Sequence, residues 1–149
     1  MTSTRRTAQV EQHILQRAHR GLDALLAQLE SMAALVDALP GAELEAALDP
    51  LLARIDRTLR AHVEWEEQVC FPDTERVPGA EWATRFLEIQ HTQLASAIEA
   101  LSADRRTLAS DATRRVGIGR HLHVLHALLT SHLEQEERVI LRLLLELPE

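Results

Sequence analysis

Apolar positions in this chain recur at steps of three and four residues and never alternate singly, the signature of helices with one buried stripe rather than of half-buried strands. Leu, Ala, Glu, Arg and Gln fill the segments, and these residues lose little side-chain freedom in a helix. Glycine and proline mark breaks at Pro40-Gly41, Pro50, Pro72, Pro78-Gly79, Gly117-Gly119 and Pro148. The spacing predicts helices over about 7–39, 43–71, 80–103 and 111–147. Asp49 ahead of Pro50 reads as an N-cap with proline in the first turn, which would set 41–48 apart as a short helix, and Gly117 with Gly119 would break off the first turns of the fourth. Short connections between long amphipathic helices make neighbours antiparallel. The expected fold is therefore all-α, an up-down-up-down antiparallel four-helix bundle, with residues 1–149 as one domain.

The inward stripes repeat. The first helix carries Leu15, His19, Leu22, Leu26 and Leu29; adding 72 gives Leu87, His91, Leu94, Ile98 and Leu101 in the third. The second carries Ile55, Leu59, His62, Glu66 and Val69; adding 70 gives Leu125, Leu129, His132, Glu136 and Val139 in the fourth. A helix pair used twice predicts an approximate two-fold axis, which would gather four histidines and two glutamates at the centre of the bundle.

Composition narrows the function. At 149 residues the chain can bury roughly two thirds of its unfolded surface around one core. A net charge of −7 argues against a nucleic-acid or anionic-membrane surface, and Arg5 with Arg6 is too small a basic start to reverse that. The single cysteine, Cys70, has no partner for an internal disulfide and suits a reducing compartment. No run of eighteen apolar residues spans a membrane and the polar start lacks the apolar stretch of a signal peptide, so the expected location is cytoplasmic. Eight histidines stand beside no tyrosine and only four other aromatic residues, two Trp and two Phe.

Residues four apart on a helix lie about 6 Å apart along the axis and point the same way, so His62 and Glu66 share a face, as do His132 and Glu136. An ionised carboxylate buried alone costs several kcal/mol and protonates instead. No arginine falls on the inward stripes, so the compensating charge is either protonated histidine or metal. Imidazole with carboxylate suits iron, zinc or manganese, whereas an all-oxygen shell would suit magnesium or calcium. Symmetry suggests two ions: Glu66 and Glu136 bridging both, two histidines capping each, an oxo, hydroxo or water bridge between them, and one position on each left open.

These residues carry a family resemblance. His19 in AHRGLDALLAQLE, His62 with Glu66 in HVEWEEQVCFP, His91 in QHTQLASAIEAL and His132 with Glu136 in HLEQEERVIL resemble the hemerythrin-like (HHE cation-binding) domain, a four-helix bundle holding a non-haem di-iron centre. Oxygen-carrying hemerythrins have a second histidine one turn after the third-helix ligand, where this chain has Ala95, and a His-to-Asp spacing of five in the fourth helix, where His132 and Glu136 are four apart. The pattern is similar instead to the branch with H, H-x-x-x-E, H, H-x-x-x-E, which includes iron-responsive and redox-active members. The resemblance implies two iron ions as cofactor and O2, peroxide or nitric oxide as small-molecule ligand. Loss of one imidazole at Ala95 tilts the expectation from reversible O2 carriage towards redox turnover.

The remaining polar residues divide. Glu67 and Glu137 follow the bridging glutamates but point roughly 100° away, either into solvent or towards a ligand histidine whose proton they would accept. Glu88 forms the one E-x-x-H spacing with His91, too little for a ferritin-like centre but a possible extra ligand. His13, His123 and His126 turn off the ligand stripe, and His121 sits about 16 Å along the axis from His132. Cys70, Trp65 and Trp82 read as packing residues. Three functions remain open: a protein that binds O2 or a related oxidant for sensing, storage or handling; an enzyme acting on peroxide or nitric oxide; and a metal-free scaffold whose His and Glu pair with one another. The sequence names no protein partner.

Overall fold

Leucine closes the bundle. Leu22, Leu25 and Leu29 of the first helix join Leu44, Leu48, Leu51 and Ile55 of the second in one apolar core, and all are buried. At roughly 1.5–3 kcal/mol per fully buried aliphatic side chain, these stripes outweigh most local preferences. The computed structural model describes the backbone of residues 3–147 and the side chains of residues 6–147. The expected break at Pro148 and the side chain of Arg5 lie outside the described residues.

Among the described residues there are four helices and no strand. Helix α1 spans Ser3–Leu35, α2 covers 41–74, α3 spans Glu81–Thr107 and α4 covers 114–145. They form the antiparallel bundle that the pattern predicts. Arg115 ties the α1–α2 connection by donating to the carbonyls of Val36 and Leu39. The α2–α3 connection turns at Gly79, whose φ of 83° suits a residue without Cβ. Asp111 holds the α3–α4 connection, accepting from the Thr113 backbone N–H at 3.0 Å and from its hydroxyl at 2.6 Å.

The expected break at Asp49-Pro50 is absent, since α2 runs unbroken through Pro50. An interior proline removes one backbone hydrogen bond and costs about 3 kcal/mol. The stripe Leu44–Leu48–Leu51–Ile55 crosses the site and outweighs that cost, and the ring lies on the exposed side. Asp49 caps nothing; it forms a two-point contact with Arg105 of α3, at 2.7 and 2.8 Å. Helix α4 likewise continues through Gly117 and Gly119. Gly117 is required by close approach, for a Cβ there would meet the Asp104 carboxylate at 2.1 Å.

Three turns widen from α- to π-helical hydrogen bonding: Asp56–Arg60 and Glu66–Cys70 in α2, and Glu136–Ile140 in α4. A wider turn holds one more residue, so the inward position after each glutamate falls on its fourth successor rather than its third. This corrects the expected stripe. Val69 is 41% exposed and Val139 half-buried, whereas Cys70 and Ile140 take the inward places. Trp82 is also corrected from packing residue to surface residue, at 68% exposure in the first turn of α3.

The core has two apolar parts. A large one includes Leu22, Leu59, Leu94 and Leu129. A smaller one comprises Leu15, Cys70, Phe71, Leu87, Ile140 and Leu144. Every helix passes from one part to the other, and at each passage the intervening stripe positions are histidine or histidine with glutamate.

One buried carboxyl stands apart. Glu11, 4% exposed, lies near the Asp73 carboxyl and leaves Oε2 without a partner on the chain. Burial first, then Asp73, raises it to about 8, while Arg76 pulls it down. Between the ordinary value of 4.5 and about 8 the folded chain keeps a proton that the unfolded chain releases, so its contribution to stability falls as pH rises through that window. Glu11→Gln should raise stability by roughly 1–2 kcal/mol at about pH 9 and leave it little changed at about pH 4, read from urea midpoints at both.

Candidate metal centre

Helix register sets the site. His19 lies between Leu15 and Leu22 of α1, and His91 between Leu87 and Leu94 of α3; His62 with Glu66, and His132 with Glu136, occupy successive inward positions of α2 and α4. All six are buried, Glu66 and Glu136 completely. The two copies exchange contacts across the axis. His19 Nε2 lies 2.9 Å from Glu136 Oε2, and His91 Nε2 lies 2.9 Å from Glu66 Oε2. His62 Nε2 is 2.8 Å from Glu66 Oε1 and 3.3 Å from Glu136 Oε2. His132 Nε2 stands 3.6 Å from Glu66 Oε2 and 3.5 Å from Glu136 Oε2.

Each of three histidines turns its other nitrogen to an acceptor. His19 Nδ1 is 3.2 Å from Glu137 Oε1, His91 Nδ1 is 2.7 Å from Glu67 Oε1, and His132 Nδ1 is 3.0 Å from Gln90 Oε1. The sequence left Glu67 and Glu137 between solvent and histidine; both carboxylates reach back to the rings. Glu88, the possible extra ligand, is corrected: it is exposed on α3, and the inward polar neighbour of His91 is Gln90. Sequence reasoning missed Gln90. Its signal was a polar residue beside His91 on the side facing α4, visible only once the helices are assembled.

Electrostatics make the centre short of positive charge. Burial alone would raise the Glu66 carboxyl, but hydrogen bonds from His132, His62 and His91 outweigh it and hold Glu66 far below the usual carboxylate range. Burial lowers His19 and His132, so these imidazoles resist protonation. His91 alone is raised, because its bonds to Glu66 and Glu67 overcome burial. Glu66 therefore stays ionised beside a His132 ring that resists protonation and a His91 ring that accepts it more readily. Glu136 Oε1 is buried and finds no hydrogen-bond partner on the chain, and His132 Nε2 stands no nearer than 3.5 Å to either carboxylate. Two sets of donor atoms lie within 4.8 Å of one another: His19, His62, Glu66 and Glu136, and Glu66, His91 and His132. Imidazole and carboxylate donors at that spacing fit metal ions.

The other sequence candidates lie elsewhere. His121 pairs with Asp104 at 3.2 Å, and His13 and His123 are exposed. Cys70 is a buried thiol pushed well up, chiefly by burial and then by Glu66, and packs with Phe71 and Ile140. Helix α4 packs closely on α1 and α3, whereas α2 meets its neighbours more sparsely. Two cavities open along the flanks of α2. One, about 340 Å3, lies between α2 and α3 and is lined by Leu59, Val63, His91, Leu94, Ala95 and Ile98.

An all-helical bundle with a buried His/Glu cluster of this spacing is compatible with metal binding. The profile described as Hemerythrin HHE cation binding domain matches residues 10–144, which includes every residue of the cluster. The chain belongs to that family. No curated relative and no solved structure matches it significantly.

Gln90→Leu leaves the buried His132 Nδ1 without its partner. In the metal-free chain it should cost about 1–3 kcal/mol by urea denaturation, whereas Glu88→Gln, at an exposed site, should stay within about 0.5 kcal/mol of the parent.

Proposed function

We propose that the chain is a non-haem di-iron protein that binds O2 or a related small oxidant, for oxygen, iron or redox sensing, storage or handling. One observation carries this reading: Glu66 belongs to both donor sets, one completed by His19, His62 and Glu136, the other by His91 and His132. His19, His62 and Glu136 would hold one iron, His91 and His132 the other, and Glu66 would serve both. Zinc or manganese would suit the same donors. Glu137, Glu67 and Gln90 fix the rings of His19, His91 and His132 through Nδ1, which keeps Nε2 basic and turned inward. The apolar parts above and below the cluster limit water. Bound iron supplies a redox couple and coordination positions for a small oxidant.

A second reading, a redox enzyme acting on peroxide or nitric oxide, is favoured by Ala95. This short side chain lines the cavity beside His91, so a small molecule has room on that side of the cluster.

Reconstitution under ferrous conditions should load about two irons per chain, the count that two donor sets imply. Either His62→Ala or Glu136→Ala should lower that count while leaving far-UV circular dichroism helical. Absence of iron uptake by the parent chain would reject the proposal. Ferrous protein exposed to O2 should develop a new absorption band; rapid loss of added peroxide would favour the enzyme instead.

Metal held only by the folded chain stabilises it by mass action, about 2.7 kcal/mol when free metal exceeds Kd a hundredfold. Chelation should therefore lower Tm. Less chelator should suffice at mildly acidic pH, where protons compete for the imidazoles. A melt that chelator does not move would count against a tightly held centre.

A further inference from the structure

One outward face of α3 is apolar. Trp82, Phe86, Ile89, Gln93, Ser96 and Ala100 follow one another at steps of four, three, four, three and four, so they form a single stripe with the spacing that lets two helices interlock. The stripe does not point into the bundle, where α3 sends Leu87, His91, Leu94 and Leu101. Trp82 is 68% exposed, Phe86 46% and Ile89 53%, and Gln93 and Ser96 are exposed as well. Two of the chain's four Trp and Phe residues thus stand side by side in water. Single exposed apolar residues are ordinary, whereas three large ones in a row mark a contact surface.

Size and charge along the stripe select its occupant. The N-terminal half is bulky, while the C-terminal half ends in Ser96 and Ala100 beside a hollow of about 310 Å3 that Ala97, Val124 and Leu128 also line. A second copy of α3 running antiparallel, centred between Ile89 and Gln93, sets Trp82 opposite Ala100, Phe86 opposite Ser96 and Ile89 opposite Gln93. Each bulky end then fills the other copy's hollow; parallel pairing would set bulk on bulk and leave the hollows empty. Arg85, Thr92 and Glu99, spaced seven apart and all exposed, run along one border of the stripe. The same antiparallel register brings Arg85 to Glu99 of the second copy and Glu99 to Arg85, with the two Thr92 side chains between them. The repeat supplies a contrast: 72 residues earlier the stripe on α1 reads Val10, Ile14, Arg17, Gly21, Ala24 and Gln28. There Arg17 replaces Ile89, so the same pairing would bring two guanidinium groups to the axis, an unfavourable like-charge contact.

We infer that a second copy of this chain docks on the Trp82–Ala100 stripe of α3, forming a closed two-fold dimer with the two α3 helices antiparallel. One patch serves both copies, as a two-fold interface requires. The stripe is about 27 Å long, and with the adjoining edge of α4 a strip two helices wide buries roughly 500 Å2 on each copy. A total of about 1,000 Å2 lies at the lower end of specific interfaces, so the dimer exchanges with monomer at a dissociation constant on the order of micromolar. Ala95 lies roughly 140° round α3 from the stripe, so pairing leaves the cavity it lines open.

Sedimentation of the full chain from about 1 µM to about 500 µM tests this, a range that brackets the expected constant. The mass should rise with concentration from 16.8 kDa towards twice that value. Ile89→Glu, which sets two carboxylates beside the axis, should weaken the dimer at least about a hundredfold, while Val10→Glu on α1 should leave it unchanged. Arg85→Glu should weaken it by roughly tenfold, and Arg85→Glu combined with Glu99→Arg should restore it, because only this register returns each charge to its opposite. All these positions are exposed, and far-UV circular dichroism checks that each variant stays helical. A chain that remains monomeric throughout, or a dimer that Ile89→Glu leaves intact, overturns the inference. A charge reversal that restores nothing overturns the antiparallel register. A monomer that sediments with phosphatidylcholine vesicles overturns it too, since the stripe would then face lipid.

Discussion

Everything in this bundle is arranged around two carboxylates held where water cannot reach them. Leaving Glu66 and Glu136 ionised in an apolar interior would cost several kcal/mol each, and among the described residues no arginine is buried to neutralise them. Four imidazoles surround them instead, one from each helix. Burial keeps His19 and His132 from protonating readily, whereas the bonds of His91 to Glu66 and Glu67 favour its protonation. Such a cluster opposes folding unless a cation joins it. The leucines above and below must therefore do more than close the bundle: they carry the stability that a central polar layer subtracts.

Geometry follows from that layer. A histidine from α1 reaches the glutamates of α4, and its counterpart on α3 reaches those of α2, so each helix pair completes the other's charge pattern. Neither pair could satisfy its own glutamates alone, which is a physical reason for two copies to pack about an axis. The π-helical turns that begin at Glu66 and at Glu136 belong to the same arrangement. By taking an extra residue just after each glutamate, they move Cys70 and Ile140 inward and Val69 and Val139 outward, so that apolar packing resumes directly beneath the carboxylates.

Much of this was legible in the chain because burial imposes a period. Leu15, His19 and Leu22 share a stripe whatever the details of packing, and the offsets of 72 and 70 carry the six central residues from one half to the other. What escaped was decided by local geometry or by assembly. A one-residue widening of a turn leaves no compositional mark, so Val69 read as inward. Proline after aspartate is a good helix start in isolation, and only the four-residue stripe across Pro50 shows that tertiary packing overrides it. Gln90 is one glutamine among several until α4 brings His132 to it. Glu11 lies on the same stripe as Leu15 and His19, yet nothing in its neighbours along the chain indicates that Asp73 will face it. Trp82 looked like core by residue type, whereas its position in the first turn of α3 leaves it in solvent.

The departures from the repeat are as informative as the repeat itself. Residues that balance charge are kept in both halves: His19 and His91, His62 and His132, Glu66 and Glu136, Glu67 and Glu137. Several residues that border the α1–α2 flank are not. Ala18 stands against Gln90, Arg17 against Ile89, Trp65 against Gln135 and Thr58 against Leu128. These four first-half residues line one cavity beside His62. The looser packing of α2 is then the structural counterpart of the same asymmetry. One half of the bundle supplies a closed wall to the cluster, while the other keeps room beside His62 and beside His91, so two positions built on one pattern present different surroundings to whatever they hold.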